Sequence, residues 1–246
     1  MATEHRADHE HRAEHEDHPD HRALAGGVAR AGVFGLSDGL VTNVSLIIGF
    51  AASGVGSDVV RLAGIASAVA GAVSMAAGEW VSVKAQNELV EREMALELRE
   101  LTHNTKAETS ELAGIYRSHG MSAAQATASA AEVMRDPQRA VMVHAREEFG
   151  LDPAHLPNPI SVGITSLISF IIGAMLPVVP WMLWAGSTAR NGSIAVGVIS
   201  AAVLGGIIAK NSERPLLIGV LRQVGILILA VTITYMVGRL VGINIA

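Results

Sequence analysis

The sequence predicts an all-α integral membrane protein with five transmembrane helices and a cytoplasmic helical insert between the second and third helices. Charged residues make up only 17% of the 246 residues, and apolar residues make up 50%. Soluble domains usually contain roughly 25% charged residues. The charges are also segregated, because five long apolar runs contain almost none of them. An α-helix needs about 20 apolar residues to cross the hydrocarbon core, a length that the runs reach or approach.

The five apolar runs are the predicted membrane-spanning helices. The first contains Asp38, the second contains Glu79, and the fifth contains Arg222 and Arg239, whereas the third and fourth contain no charged residue. Buried helices of a soluble core are the alternative, and five long runs with so few charges argue against it. The runs cover residues 32–52, 62–83, 160–180, 193–209 and 216–240.

Lysine and arginine lie mostly on one side of the membrane in this arrangement. They cluster before the first run, between the second and third runs, and around the turn between the fourth and fifth runs. Arg61, Arg190 and Arg239 fall on the opposite side. Because cytoplasmic loops carry the excess of positive charge, the N-terminus is predicted in the cytoplasm and the C-terminus outside. We expect a multi-pass protein of the plasma (inner) membrane.

The segment between the second and third runs is predicted to be helical. Since no glycine or proline follows Gly78 for many residues, the second helix is expected to leave the membrane and continue in water. Gly120 and Gly150 are typical stops at helix C-termini, and Pro137 suits a first turn. The predicted segments are a polar tail at 1–29, membrane helices 1 and 2 at 30–84, the cytoplasmic insert at 85–155, and membrane helices 3–5 at 156–246.

The polar tail is predicted to be disordered, because it has too few apolar residues to form a core. It contains six of the ten histidines, interspersed with acidic residues. Imidazole is a good ligand for divalent transition metals, so one interpretation is a loose metal-capture arm. A solvated tail without a specific role is the alternative. The histidines are His5, His9, His11, His15, His18 and His21.

Acids within the membrane are expensive, at about 2.5–3.5 kcal/mol on insertion scales, and are functional candidates by default. Asp38 is eight residues from Arg30 at the inner flank, which is about 12 Å at the rise of an α-helix. Met75 is nine residues from Lys84, or about 13.5 Å on the same rise. Glu79 lies one turn nearer the cytoplasm than Met75, on the same face. We therefore expect Asp38, Met75 and Glu79 to form a cation path in the inner half of the membrane.

Two carboxylates and a thioether suit a borderline ion such as Fe²⁺ better than Na⁺ or Ca²⁺. The carboxylates can also exchange protons. Each residue has a simpler interpretation as well: Asp38 as a helix-end cap, Glu79 as an acid that reaches interfacial water, and Met75 as apolar filler.

The predicted insert carries a second set of candidate ligands. Acidic residues recur at spacings of three and four, so that several share a helix face. If the helices pack together, these carboxylates converge on one or more divalent ions, as in carboxylate-bridged bundle sites. An ordinary solvated acidic face is the alternative, and the pattern alone favours it. The candidates are Glu97, Glu100, Glu108, Glu111, Met142, His144, Glu147 and Glu148.

Composition also excludes several classes. The chain has no cysteine, which rules out disulfide, zinc-thiolate and iron–sulfur chemistry and a cysteine nucleophile. Its pI near 6.0 argues against a nucleic-acid partner.

Four stretches together resemble the vacuolar iron transporter (VIT) family, in its bacterial-type form. The DG pair and the SM..GE motif are fairly specific in combination, and the resemblance covers almost all of the chain after residue 29 in family order. The stretches are RAGVFGLSDGLVTNVSLIIGF at 30–50, GAVSMAAGEWVSVKAQNE at 71–88, ELAGIYRSHGMS at 111–122 and EEFGLDP at 147–153.

The resemblance implies a homodimer with five membrane helices per protomer and a cytoplasmic metal-binding domain. It implies a transporter, not an enzyme, that moves Fe²⁺, sometimes Mn²⁺, out of the cytosol in exchange for protons. Asp38 and Met75 match the family's pore positions. The family's metal-domain glutamates have the same spacing as Glu97, Glu100, Glu108 and Glu111 of this chain. The region of Glu147 and Glu148 supplies the remaining ligands.

Two positions depart from the family. Ser67 stands where some eukaryotic members have a further membrane glutamate, so that Glu79 is a candidate for its role in proton handling. His144 stands where a methionine or an acid is expected.

We expect no permanently bound cofactor. Fe²⁺, or another divalent ion such as Mn²⁺ or Zn²⁺, is the expected substrate, with protons as counter-ion and membrane lipid and a second copy of the chain as partners. A membrane-anchored, ferritin-like metal-binding or metal-oxidising protein and a membrane metal sensor are the alternatives.

Overall fold

The structure, a computed structural model, describes residues 27–150 and 156–245. Residues 1–26 of the predicted tail therefore lie outside the described residues. In the described part the chain is helical, with one short 3-10 turn at Leu176–Val178 and no strand. The helices are α1 (Gly27–Ala52), α2 (Ser57–His103), α3 (Thr105–Ser118), α4 (Ala123–Val133), α5 (Pro137–Phe149), α6 (Pro159–Met175), α7 (Val179–Leu183), α8 (Gly186–Asn211) and α9 (Leu216–Ile245).

Five of these segments are long and apolar enough to cross a membrane, which confirms the predicted all-α class with five membrane helices. They are α1, the first part of α2, α6 continued by α7, α8 and α9. The fourth apolar run, at 193–209, is slightly shorter than a membrane span requires. Helix α8 begins at Gly186, however, and reaches membrane-spanning length by including the polar residues before the run. Every backbone group in a helix bonds within the segment, as hydrocarbon requires.

Helix α1 is the centre of the membrane bundle and packs against α6, α9, α2 and α8. Its contact with α6 is a direct approach of two backbones. A Cβ at Gly39 would collide with the carbonyl oxygen of Phe170, and a Cβ at Gly173 would collide with the carbonyl oxygen of Leu36. Small residues allow this approach in membranes, where packing rather than hydrophobicity holds helices together.

A buried asparagine ties α1 to two other helices. Asn43 is fully buried on α1, and its Nδ2 donates hydrogen bonds to the carbonyl oxygens of Gly64 (3.0 Å) and Ala174 (2.6 Å). The three residues belong to α1, α2 and α6. One side chain therefore fixes the relative positions of the helices that carry Asp38 and Met75.

Beyond the membrane-spanning part of α2, the chain forms a small helical unit, which we call the insert. It consists of α2 from Lys84 onward with α3, α4 and α5. As predicted, α2 continues unbroken for 47 residues. Gly120 and Gly150 have positive φ, at 94° and 62°, directly after α3 and α5. The core of the insert is formed by Leu101, Leu112, Ala113, Ala126, Ala130, Val133, Ala140 and Val141.

The apolar surfaces of α2 and α9 are largely exposed on a single protomer. Leu62, Val69 and Val73 on α2 and Leu229 and Met236 on α9 are each more than half exposed. Surfaces of this kind face lipid or another protein chain when a helix spans a membrane.

Replacing Gly39 with alanine should destabilise the protein, because the new methyl group would meet the α6 backbone. Overpacking of this kind typically costs about 1–3 kcal/mol. Gly225→Ala is the matched control, since a Cβ at Gly225 on α9 meets nothing within 4 Å. We expect the Gly39→Ala variant in detergent to have a lower thermal midpoint than both the parent and the control. Equal midpoints for the two variants would contradict the close contact of α1 and α6.

Candidate metal centre

Four side chains of the insert converge on one point. Glu97 from α2, Glu108 from α3, and His144 and Glu148 from α5 each offer a ligand atom, and these atoms lie within 4.8 Å of one another. His144 and Glu148 share a face of α5 because they are four residues apart. The sequence had placed all four among eight candidates.

The imidazole of His144 is at the middle of the cluster. Its Nδ1 lies 3.1 Å from Glu97 Oε1, 3.5 Å from Glu148 Oε1 and 3.9 Å from Glu108 Oε2. The His144 side chain is fully buried, and those of Glu97, Glu108 and Glu148 are 10%, 11% and 18% exposed. We refer to these four residues as the insert cluster.

Local sequence explains why these residues meet. Asp136 caps α5 by accepting hydrogen bonds from the backbone N–H groups of Gln138 and Arg139, and Pro137 occupies the first turn. Asn104 separates α2 from α3, and the ligand atoms of Glu97 and Glu108 on these two helices lie within 4.8 Å of one another. The apolar core of the insert then holds α2, α3 and α5 together.

Burial and repulsion from neighbouring carboxylates raise the pKa values of two carboxyl groups of the insert cluster, Glu97 and Glu148. Burial raises the pKa of Glu97, and the charge of Glu148 raises it further, against a lowering effect of His144. Burial also raises the pKa of Glu148, followed by the charge of Glu111, again opposed by His144. A divalent cation at this point would relieve the repulsion and replace the protons.

The other predicted ligands of the insert lie around the cluster. Glu111 is exposed, yet its charge acts on Glu97 and Glu148, which places it at the edge of the cluster. Glu100 is exposed and accepts a hydrogen bond from Asn104 Nδ2 (2.8 Å).

The last two predicted ligands, Glu147 and Met142, are not part of the insert cluster. Glu147 lies 3.5 Å from Nδ1 of His119, and Met142 is 36% exposed. The structure thus brings together four of the eight predicted insert residues and leaves Glu111 at their edge.

The residues of the predicted membrane path, which are Asp38, Met75 and Glu79, lie in different surroundings. Helix α1 is unbroken from Gly27 to Ala52, so Asp38 is not at a helix end, and its carboxylate accepts a hydrogen bond from Thr42 Oγ1 (2.9 Å). Met75 packs against an apolar cluster that includes Phe170 and Ala174. Phe170 also approaches α1 at Gly39, next to Asp38, and α2 at Gly71, one turn from Met75.

Glu79 forms an ion pair that the sequence did not predict. Its Oε2 lies 3.3 Å from a guanidinium nitrogen of Arg30, and the Glu79 side chain is 12% exposed. The pair joins α1 to α2 and depends on their packing, so no spacing in the sequence signals it. Thr42, by contrast, follows Asp38 by four residues, and this spacing could have identified it as the partner.

Glu97→Gln should stabilise the metal-free protein and should remove the stabilising effect of added metal. Since folding raises the pKa of Glu97 and Glu148, the stability linked to these carboxyls is present below the ordinary glutamate pKa and is lost as pH rises through the raised values. At neutral pH we therefore expect metal-free Glu97→Gln protein to unfold at a higher temperature than metal-free parent.

Added Mn²⁺ should raise the thermal midpoint of the parent and should leave that of Glu97→Gln unchanged. Glu132→Gln is the control, because Glu132 is exposed and pairs with Arg135 on the surface of the insert. A Mn²⁺-dependent rise of equal size in both variants would exclude metal binding at the insert cluster.

Comparison with known proteins agrees with this architecture. The sequence model of the VIT family matches residues 29–239 of the chain. Vacuolar iron transporter 1 of Oryza sativa subsp. japonica is 30% identical over 181 residues, which cover 73% of this chain and 71% of that protein. The vacuolar iron transporter of Acanthamoeba castellanii is 32% identical over 213 residues, 84% of this chain and 77% of that protein. Vacuolar iron transporter 1 of Arabidopsis thaliana is 29% identical over 159 residues, 65% of this chain and 64% of that protein.

The family match extends through all five membrane-spanning helices and the insert between them. Members of the VIT family are transporters and not enzymes. We conclude from these matches that this chain is a multi-pass membrane protein that belongs to the VIT family.

Proposed function

We propose that the protein carries Fe²⁺, and also Mn²⁺, out of the cytosol in exchange for protons. The observation that carries the proposal is the insert cluster, in which ligand atoms of four residues lie within 4.8 Å on a chain that also has five membrane-spanning helices. The names of the relatives supply the metal, because each is described as an iron transporter.

The insert collects the ion in this scheme. Three carboxylates and an imidazole bind divalent transition metals, and the exposed Glu111 at the edge of the cluster gives an incoming cation its first acidic contact. The raised pKa values of Glu97 and Glu148 mean that protons compete with metal at the same oxygens. Binding of metal therefore releases protons from the insert.

Helix α2 connects the insert cluster with the membrane path. Glu79 and Glu97 are 18 residues apart on this unbroken helix, which corresponds to five turns and about 27 Å. The two carboxylates therefore lie on the same face of α2. An ion that leaves Glu97 towards the membrane follows this face to Glu79.

A cation that reaches Glu79 must replace Arg30, because the guanidinium already neutralises the carboxylate. Asp38 and Met75 come next, one offering oxygen and the other a thioether sulfur. In a single protomer Asp38 is hydrogen-bonded to Thr42 and partly exposed. We infer that two protomers form a homodimer with the path between their α1 helices. A carboxylate on this path binds either a proton or the metal ion, which couples the two flows in opposite directions.

Asp38→Asn should abolish transport while preserving the fold, since the amide keeps the shape of the side chain and the partner Thr42. Purified protein in proteoliposomes should accumulate Fe²⁺ faster when a proton gradient is imposed, and the variant should lose at least nine-tenths of this flux. Asp58→Asn is the control, because Asp58 is exposed at the start of α2 and pairs with Arg61 on the same helix.

Metal flux that ignores the proton gradient would overturn the exchange with protons. Oxidation of Fe²⁺ without flux would favour a membrane-anchored metal-oxidising protein instead. Binding to the insert without either activity would favour a metal sensor.

We propose the plasma membrane as the location, with the insert and the α8–α9 turn in the cytoplasm. The absence of native cysteine makes single-cysteine labelling direct. A membrane-impermeant maleimide should label Val55→Cys, in the α1–α2 turn, on intact cells. It should label Ser212→Cys, in the α8–α9 turn, only after the cells are permeabilised. The reverse pattern would invert the orientation and with it the direction of export.

A further inference from the structure

We propose that His144 is a metal ligand through Nδ1 and sets the selectivity of the insert cluster for transition-metal ions over Mg²⁺ and Ca²⁺. The inference rests on the proposed function only in taking the insert cluster as a metal site. It concerns which ions the cluster accepts, and it depends on one residue, His144.

The surroundings of His144 support a ligand role. The side chain is fully buried, and neither ring nitrogen has a hydrogen bond of good geometry in the described part of the chain. Buried polar atoms normally have partners. Oε1 of Glu97, 3.1 Å from Nδ1, is likewise without a hydrogen bond in that part of the chain. Nδ1 of His144 and Oε1 of Glu97 therefore face one another at a buried point without a hydrogen bond between them, which is an arrangement that a cation bound to both atoms would satisfy.

The spacing fits one ion. Metal–ligand bonds to nitrogen and oxygen are about 2.0–2.2 Å, so two ligands on one ion are at most about 4.4 Å apart. The four ligand atoms of the insert cluster lie within 4.8 Å of one another, which small side-chain rotations reduce to this limit. Nδ1 is the nitrogen that faces the three carboxylates, whereas among residues 27–150 and 156–245 no such contact involves Nε2.

The nitrogen donor determines which ions are favoured. Ca²⁺ and Mg²⁺ are bound by oxygen ligands, and Mg²⁺ keeps several of its waters. Imidazole suits Fe, Zn, Cu and Ni, and affinity for such a site rises from Mn²⁺ through Fe²⁺ to Co²⁺. Replacing the only nitrogen of the insert cluster by oxygen should therefore weaken binding of the later ions most.

His144→Asn is the test, because the amide oxygen of asparagine takes the place of Nδ1. His119→Asn is the matched control, since His119 is exposed on the insert and pairs with Glu147 outside the cluster. In every protein the six tail histidines are replaced by alanine, so that their imidazoles add no signal. Binding of Co²⁺, Mn²⁺ and Mg²⁺ to the purified full-length chain is measured by calorimetry.

We expect His144→Asn to lose at least tenfold in affinity for Co²⁺, to lose less for Mn²⁺, and to keep or gain affinity for Mg²⁺. Pulsed electron paramagnetic resonance of bound Mn²⁺ should show coupling to ¹⁴N in the parent and in His119→Asn, and none in His144→Asn. An equal loss for all three ions would overturn the selectivity, and ¹⁴N coupling that survives in His144→Asn would overturn the ligand role.

The parent protein decides the matter even if His144→Asn fails to fold, because bound Mn²⁺ without ¹⁴N coupling in the parent excludes His144 as a ligand. The outcome is also separate from the proposed function. Iron flux without ¹⁴N coupling would overturn this inference alone, and ¹⁴N coupling without flux would overturn transport alone.

Discussion

The free-energy cost of removing a carboxylate from water is the constraint on which the functional parts of this structure depend. Three acids that are at least partly removed from solvent each lie next to a group of a different kind. Asp38 accepts a hydrogen bond from a hydroxyl, Glu79 pairs with a guanidinium, and Glu97 lies against an imidazole. Of these three groups only the guanidinium is a permanent cation, and so they differ in how readily a metal ion can bind next to the acid. A hydroxyl needs no replacement, whereas the guanidinium of Arg30 must move away before a second cation can bind.

The helices that carry these acids are held in defined relative positions by their packing. Helix α2 is continuous for 47 residues from the membrane to the insert. Asn43 joins α1, α2 and α6 through two hydrogen bonds, and Gly39 and Gly173 bring the backbones of α1 and α6 into contact. These contacts are short and directional, so they fix relative height as well as separation. Glu97 and Glu79 are therefore held at a defined spacing along α2, and Asp38 is held relative to them by the packing of α1 against α2. Movement is left to side chains such as Arg30 or to displacement of whole helices.

The sequence predicts most of the fold because the membrane imposes one rule on every span: about 20 apolar residues must be helical. The insert helices are also predicted closely, since Pro137, Gly120 and Gly150 mark their ends by local chemistry. The candidate site is predicted less completely. Helical spacing identifies Glu97, Glu108, His144 and Glu148 as candidates but gives equal weight to Glu100, Glu147 and Met142, which lie elsewhere. Which candidates converge depends on how α2, α3 and α5 rotate against one another, and the Arg30–Glu79 pair depends likewise on the packing of α1 against α2. These are properties of tertiary packing with no local signal.

The donor atoms of the insert cluster also explain how a site that binds metal can serve transport. Thiolates would hold a transition metal tightly, and the chain has no cysteine. The pKa values of Glu97 and Glu148 are raised, chiefly because these carboxyl groups are buried, so protons compete with metal at their oxygens. In the proposed role, His144 adds selectivity through a nitrogen donor and contributes no negative charge of its own. A cluster of this composition would discriminate by donor type without the tight retention that thiolates impose, which is what the proposed transport requires of the site that first binds the ion.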